Sequence, residues 1–127
     1  MSAAISISDA ESRVMEVLWR QAPQSAEEVV AALCIPGGWH EKTVKTLLNR
    51  LLHKGALRAE KDGRRYLYSP LLQRADWQQN ESRSLLDRVF GGKLTPLLTH
   101  FSEHEKLSAK DVTELRKLLD AIDHKRH

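Results

Sequence analysis

The stretch EKTVKTLLNRLLHKGALRAEKDGRRYLYSP, residues 41–70, decides how the chain reads. Its first half places Val44, Leu47, Leu48 and Leu51 at i, i+3, i+4 and i+7, the one-sided apolar stripe of an amphipathic helix. Gly55 follows Lys54 where a helix-ending glycine belongs. The period then changes. Leu57, Ala59 and Lys61 alternate with Arg58 and Glu60, and Asp62-Gly63 is a two-residue hairpin signal. Arg65-Tyr66-Leu67-Tyr68 resumes with strand-favouring aromatics until Pro70. The stretch therefore predicts a helix over about 41–54 and a short β-hairpin with a basic tip of Lys61, Arg64 and Arg65.

Two further helices precede it. Ser8 with Glu11 three positions on is a capping-box pattern, followed by Val14, Met15, Leu18 and Trp19 at helical spacing and closed by Pro23. Ser25 and Glu28 repeat the pattern, with Val29, Ala32 and Leu33 expected on the inner face and Pro36-Gly37-Gly38 as the stop. Three helices followed by a hairpin is the order of a winged helix-turn-helix, here assigned to residues 1–72.

Within the C-terminal region, residues 73–127, the stretch 74–124 reads as helical again. Trp77, Leu85, Leu86, Val89 and Phe90 mark one helix, ended by Gly91-Gly92. Leu94, Leu97, Leu98 and Phe101 mark a second, with Pro96 tolerable only in its first turn. Ser108 and Asp111 open a third, carrying Val112, Leu115, Leu118, Leu119 and Ile122. The last residues, His124 to His127, are polar and expected to fray. So short a segment cannot easily bury this much apolar surface alone. Pairing with a second copy buries it, so Trp77, Leu85, Val89, Phe90, Leu94, Leu97, Leu98, Phe101, Leu115 and Leu119 are the expected dimer interface. The alternative is that these helices fold back on the winged helix as a monomeric core. The fold class is mainly α: a winged helix-turn-helix followed by a three-helix dimerisation region.

Composition narrows the function. The chain has 127 residues, 41% of them apolar and 29% charged, which is ordinary for a globular protein and excludes wholesale disorder. No run approaches the roughly 20 apolar residues of a bilayer span. Met1 to Asp9 lacks the basic and apolar regions of a secretory signal, so a cytoplasmic protein without membrane insertion is expected. A single cysteine, Cys34, excludes an internal disulfide framework and a multi-cysteine metal cluster within one chain. It reads as a small, partly buried side chain, with a redox role as the alternative. No nucleophile–base pairing, paired carboxylates or phosphate-cradling glycine loop is present, so no enzyme is expected. No cofactor or metal site is assigned. His100 with His104, and His124 with His127, are the only pairs spaced to share an ion, and each would need further ligands.

Charge is unevenly placed. Residues 1–38 carry two Lys/Arg against five Asp/Glu, residues 39–70 eight against three, and residues 73–127 ten against nine. The basic excess thus falls on the third helix and the hairpin. With its leucines inward, that helix turns out Lys42, Thr43, Lys45, Thr46, Asn49, Arg50 and His53, with no acid after Glu41. An α-helix fits the major groove of duplex DNA, where such donors and acceptors meet base edges. Lys42, Thr43, Lys45 and Thr46 are the expected groove residues, with Asn49 beside them and Arg50 reaching base or phosphate. Lys61, Arg64 and Arg65 on the wing would meet neighbouring phosphates or a minor groove. A solvated helix face and an ordinary charged turn are the plain alternatives. A protein-interaction module using the same face is the competing functional class, although protein interfaces deplete lysine.

The chain also resembles the penicillinase repressor family, which includes the BlaI and MecI repressors and the copper-responsive CopY-type regulators. The resemblance rests on Ile7-Ser8-Asp9-Ala10-Glu11 with Val14-Met15 and Leu18-Trp19, on Ser25-Ala26-Glu27-Glu28-Val29, and on Trp39 with Lys42-Thr43-Val44. It continues through Thr46-Leu47-Leu48-Asn49-Arg50-Leu51, Lys54-Gly55, Tyr66 and Tyr68-Ser69-Pro70, then Phe90-Gly91-Gly92, Phe101-Ser102-Glu103 and Leu107-Ser108. It implies a homodimeric transcriptional repressor that binds a double-stranded operator with an inverted repeat, one recognition helix per half-site. For β-lactam-responsive members it further implies antibiotic-resistance control by a membrane sensor protease cutting between Asn and Phe in the dimerisation region. The corresponding bond is His100–Phe101, with His in place of Asn. The paired C-terminal cysteines of copper-type members are missing. His40 stands where the family usually has Ser.

Overall fold

The computed structural model describes residues 5–126. Helix α1 spans Asp9–Arg20, strand β1 Gln24–Ser25, α2 Ala26–Gly37 and α3 Glu41–Lys54. Strands β2 (Leu57–Asp62) and β3 (Arg65–Pro70) form the wing, and α4 (Arg74–Phe90), α5 (Leu94–His104) and α6 (Ala109–Arg126) follow. The architecture is a winged helix-turn-helix followed by three helices.

Both expected capping boxes form. Ser8 Oγ accepts the Glu11 N–H while Glu11 Oε1 accepts the Ser8 N–H, and Ser25 and Glu28 repeat this arrangement. Each box satisfies helix-end donors and is worth about 1 kcal/mol. The Ser25 N–H, followed by the Ser25 hydroxyl, holds the Glu28 carboxyl below its usual range. Of the three residues expected to stop α2, Gly38 does so. At φ 69° it reaches the left-handed region, and its N–H bonds to the Cys34 carbonyl. The helix itself runs on through Pro36 and Gly37.

Val14, Met15 and Leu18 of α1, Val29 of α2, and Val44, Leu47, Leu48 and Leu51 of α3 meet in one core with Ile7, Ala56, Leu57 and Leu72. Each fully buried aliphatic contributes about 1.5–3 kcal/mol. Ala32 is exposed rather than inward: Ala26, Val30 and Leu33 flank Val29 on the packed side, and Ala32 lies off that arc. Cys34 is half-buried against the core.

The sheet has three strands in the order β1-β3-β2, all antiparallel. The third strand is unanticipated. Gln24 pairs with Tyr68 and Ser25 with Leu67, so the entry to α2 closes one edge of the wing. Asp62 pairs with Arg65, so the two-residue loop is Gly63-Arg64, one position later than the Asp62-Gly63 signal placed it, and Gly63 at φ 65° opens the turn. Only Leu57 of β2 is buried. Beyond Leu57, β2 is exposed, whereas Leu67 to Pro70 of β3 are half-buried and Tyr68 packs against the core.

Packing divides the chain between Glu81 and Ser82, inside α4 and beyond the 72/73 boundary expected from sequence. Trp77 explains the difference. Its ring lies 5.4 Å from that of Trp19, whose Nε1 donates to the Leu72 carbonyl at 2.8 Å. Arg74 stacks over Trp19 and pairs with Glu16 at 2.6 Å. These contacts draw the start of α4 into the first unit.

The second unit, from Ser82 onward, has no buried residue among those described. Leu86, Phe90, Leu97, Leu98, Val112 and Leu115 are half-buried. Leu85, Val89, Leu94, Phe101, Leu118, Leu119 and Ile122 are exposed. The start of α6 is capped as expected, the Ser108 hydroxyl and the Asp111 carboxylate each accepting the other's N–H. The expected fraying of the tail is corrected: α6 remains helical through Arg126, its last turn carrying Lys125 and Arg126, cations that suit a helix C-terminus. His127 lies outside the described residues. No described helix is long and apolar enough to cross a membrane.

Candidate nucleic-acid interface

Helix α3 is oriented by its own stripe. Burial of Val44, Leu47, Leu48 and Leu51 leaves Lys42, Thr43, Lys45, Thr46, Asn49 and Arg50 exposed. Lys61, Arg64 and Arg65 on the wing are exposed as well. All nine nominated residues therefore open to solvent in the first unit.

Eight of them line two clefts, and Lys61 lines neither. A shallow cleft of about 450 Å³ is lined by His40, Lys42, Thr43, Thr46, Leu47 and Arg50. A second, of about 290 Å³, is lined by Lys45 and Asn49 of α3, Ala26 and Glu27 at the start of α2, and Arg64, Arg65, Tyr66 and Tyr68 of the wing. The first is the side of the helix with hydroxyls and a guanidinium. The second joins the helix to the wing.

Charge on these surfaces is not uniform. Lys45 Nζ pairs with Glu41 Oε1 at 2.9 Å, one turn earlier on the helix. Its hydrogen bond to Glu41, then the charge of that carboxylate, raises the Lys45 ammonium above its usual range, with smaller help from Glu27 and Tyr68. Arg65 pairs with Asp62 across the turn at 3.4 Å. Lys42, Arg50, Lys61 and Arg64 have no carboxylate partner among the described residues. These four are the cations ready for an anionic ligand without losing an existing pair. Lys45 and Arg65 each already hold a carboxylate.

The hydroxyls differ too. Thr46 Oγ1 donates to the Lys42 carbonyl at 2.9 Å, so its proton is spent within the helix. Its lone pairs and methyl remain for a base edge, which suits an adenine amino group or a thymine methyl. His40 stands at the N-cap of α3 without a side-chain cap bond, which leaves the first-turn N–H groups open. Sequence reading missed Tyr66 and Tyr68 as part of this surface. Their strand alternation with Leu67 was the available signal.

The residues expected at a dimer interface separate into two groups. Trp77 is half-buried in the first unit against Trp19. The other nine lie in the second unit, half-buried or exposed. His100–Phe101 lies inside α5, with His100 close to Phe90, Phe101 and His104. No group of three or more metal-binding side chains occurs among the described residues.

Comparison with known proteins bears on this surface. A family model described as Penicillinase repressor matches residues 7–121. The penicillinase repressor of Bacillus licheniformis is 37% identical over 114 residues, spanning 90% of this chain and 89% of the relative. A methicillin resistance regulatory protein, MecI of Staphylococcus aureus, is 32% identical over 90% of this chain and 93% of its own length. Among solved structures, the DNA binding domain of the repressor BlaI superposes with a TM-score of 0.54 at 39% identity, covering 60% of this chain and 93% of that one. The Bacillus licheniformis BlaI monomeric form in complex with the blaP half-operator matches over the same shares with a TM-score of 0.52 at 39% identity.

Proposed function

Because this chain belongs to the penicillinase repressor family, we propose that it is a homodimeric transcriptional repressor that binds a dyad-symmetric DNA operator. The observation that carries the reading is the exposed face of α3, whose Lys42, Thr43, Thr46, Asn49 and Arg50 stand open beside a basic wing. In this reading α3 lies in the major groove. Lys42, Thr43, Lys45, Thr46 and Asn49 meet base edges, and Arg50 bonds a guanine or a phosphate. Lys61, Arg64 and Arg65 hold the adjacent backbone. Phosphate contacts supply affinity and register, while base contacts supply choice of sequence.

Dimerisation is supported by a unit that lacks a buried core of its own. Seven large apolar side chains of residues 82–126 stay exposed in the single chain, Phe101 at 42%. A second copy would cover Leu85, Val89, Leu94, Phe101 and Leu119 and draw in the half-buried Phe90, Leu97, Leu98 and Leu115. Twofold pairing would then present two recognition helices to one duplex.

Release by a membrane sensor protease cutting at His100–Phe101 is the mode that family kinship suggests for β-lactam-responsive members. In this chain the bond lies within α5, so such a cut needs α5 to open locally first. The proposal places the protein in the cytoplasm, where its DNA is.

The test is a mobility-shift titration with full-length protein on duplexes from its own upstream region, with excess competitor DNA and stepped salt. Specific retention that weakens steeply with salt supports the repressor. Binding that competitor DNA abolishes at equal concentration overturns it and favours a protein-interaction module.

A further inference from the structure

Glu41 is out of place on the surface just described. It occupies the first position of α3, it is exposed, and it is the only acid on the outward side of that helix. A carboxylate there approaches a dense row of phosphates, which opposes binding. It is accounted for in part as an acid in the first turn of a helix, where the macrodipole favours it. Its ion pair with Lys45 has the i,i+4 spacing that helices commonly carry, and what sets this pair apart is its place on a face otherwise free of acids. Glu41 Oε1 holds Lys45 Nζ at 2.9 Å, both side chains remain substantially open at 62% and 49% of their surface, and Lys45 lines the cleft between α3 and the wing.

We propose that Glu41 and Lys45 act together as a specificity clip that selects a C·G base pair in each half-site. The statement rests on the DNA-binding reading above and refines it. In the major groove cytosine shows one hydrogen-bond donor, its N4 amino group, and guanine shows two acceptors, N7 and O6. A carboxylate next to an ammonium is the mirror of that pattern. Glu41 accepts from cytosine N4, and Lys45 donates to guanine O6 or N7. The first turn of a recognition helix is the part that reaches base edges. Fixing Lys45 against Glu41 before binding also keeps the lysine from settling on a phosphate, which would carry no sequence information. A T·A pair offers the carboxylate a carbonyl oxygen and a methyl group where cytosine offers its donor, so the clip disfavours it.

The test uses the full-length protein and its Glu41→Ala and Lys45→Ala variants, each selected against a pool of duplexes with a randomised core. Binding constants are then measured on the best wild-type duplex and on versions changed at single base pairs. The clip predicts that wild type fixes a C·G pair at one position of each half-site. It predicts that Glu41→Ala lets that position drift while the rest of the motif stays. On a duplex with that pair changed to T·A, wild type weakens about tenfold and Glu41→Ala by less than about twofold. Glu41→Ala also binds random duplex more tightly, because an acid is gone and Lys45 is released. Tighter binding with the same motif and the same base preferences overturns the clip and leaves Glu41 as a helix-end acid. A wild type that enriches no motif at all overturns the DNA-binding reading itself, and the clip with it.

Discussion

Lys54, at the last position of α3, reaches across to Glu11 in the first turn of α1, with its Nζ 2.6 Å from Oε1 and 3.0 Å from the Ser6 carbonyl. Glu11 is only 2% exposed, and its second carboxylate oxygen has no partner among the described residues. Burial pushes the Glu11 carboxyl upward, but Lys54 and the Ser8 N–H together outweigh it and hold the group below its usual range. The pair fastens the far end of the recognition helix to the capping box of α1. It also withdraws Lys54 from the cations available to DNA.

The sign of this pair sets a pH dependence. A carboxylate whose pKa is lower in the folded state adds stability that is present above its unfolded value, near 4.5, and is lost as pH falls through the folded value. Wild type should therefore lose stability on acidification below about pH 4.5, and Glu11→Gln should lose less over the same window. At neutral pH Glu11→Gln should be less stable by about 2 kcal/mol, since a buried acceptor for a charged donor is weakened while Lys54 remains partly solvated. Denaturant unfolding from pH 3 to pH 7 checks this. Identical pH slopes in the two proteins would remove Glu11 from the account.

Trp77→Ala should destabilise the winged-helix unit by about 1–3 kcal/mol, a half-buried fraction of a full aromatic truncation. The mass at the sedimentation boundary should not change, because Trp77 rests on Trp19 and not on the exposed apolar set. Unfolding followed by tryptophan emission, with sedimentation beside it, separates the two effects. Loss of the dimer with unchanged stability would return Trp77 to the interface.

Phe101→Asp should split the dimer, because a carboxylate would enter an apolar contact without a partner. Operator affinity should fall with it, since half-sites would then be bound one at a time. Sedimentation velocity reads the first and a titration of intact operator the second. An unaltered dimer would place Phe101 outside the contact.

Arg50→Ala and Arg64→Ala should differ in kind. Arg50 lines the cleft of the recognition helix, so its loss should cost about 1–3 kcal/mol on operator and relax base preference. Arg64 belongs to the wing, so its loss should weaken all duplexes alike and reduce the salt slope by about one per binding site. Competition assays with single-base operator variants distinguish them. Equal loss of preference in both would mean that the wing reads bases.

Much of this was open to sequence reading, and the reasons are local. Ser8 with Glu11, Ser25 with Glu28, and the leucine stripe of 44–51 are short-range patterns that packing had no cause to override. The outward set on α3 follows from that stripe alone. What stayed hidden depends on distance. Strand β1 is two residues long, too short to alternate, and exists only because β3 offers it an edge. Glu11 and Lys54 are joined across three helices, and neither residue signals the other. Trp77 shares helical spacing with Leu85 and Val89, yet Trp19 claims it. Asp62 holds Arg65, so two wing cations that look alike in sequence are not equally free.

The central claim is that the open cations of α3 and the wing meet one duplex from two copies of the chain. Lys61, Arg64 and Arg65 are the wing cations that this reading sets on phosphates, so a dimer brings six. The logarithm of operator affinity against the logarithm of salt concentration should then fall with a slope of about −5. A slope near zero, with affinity for operator no greater than for random duplex, would contradict it.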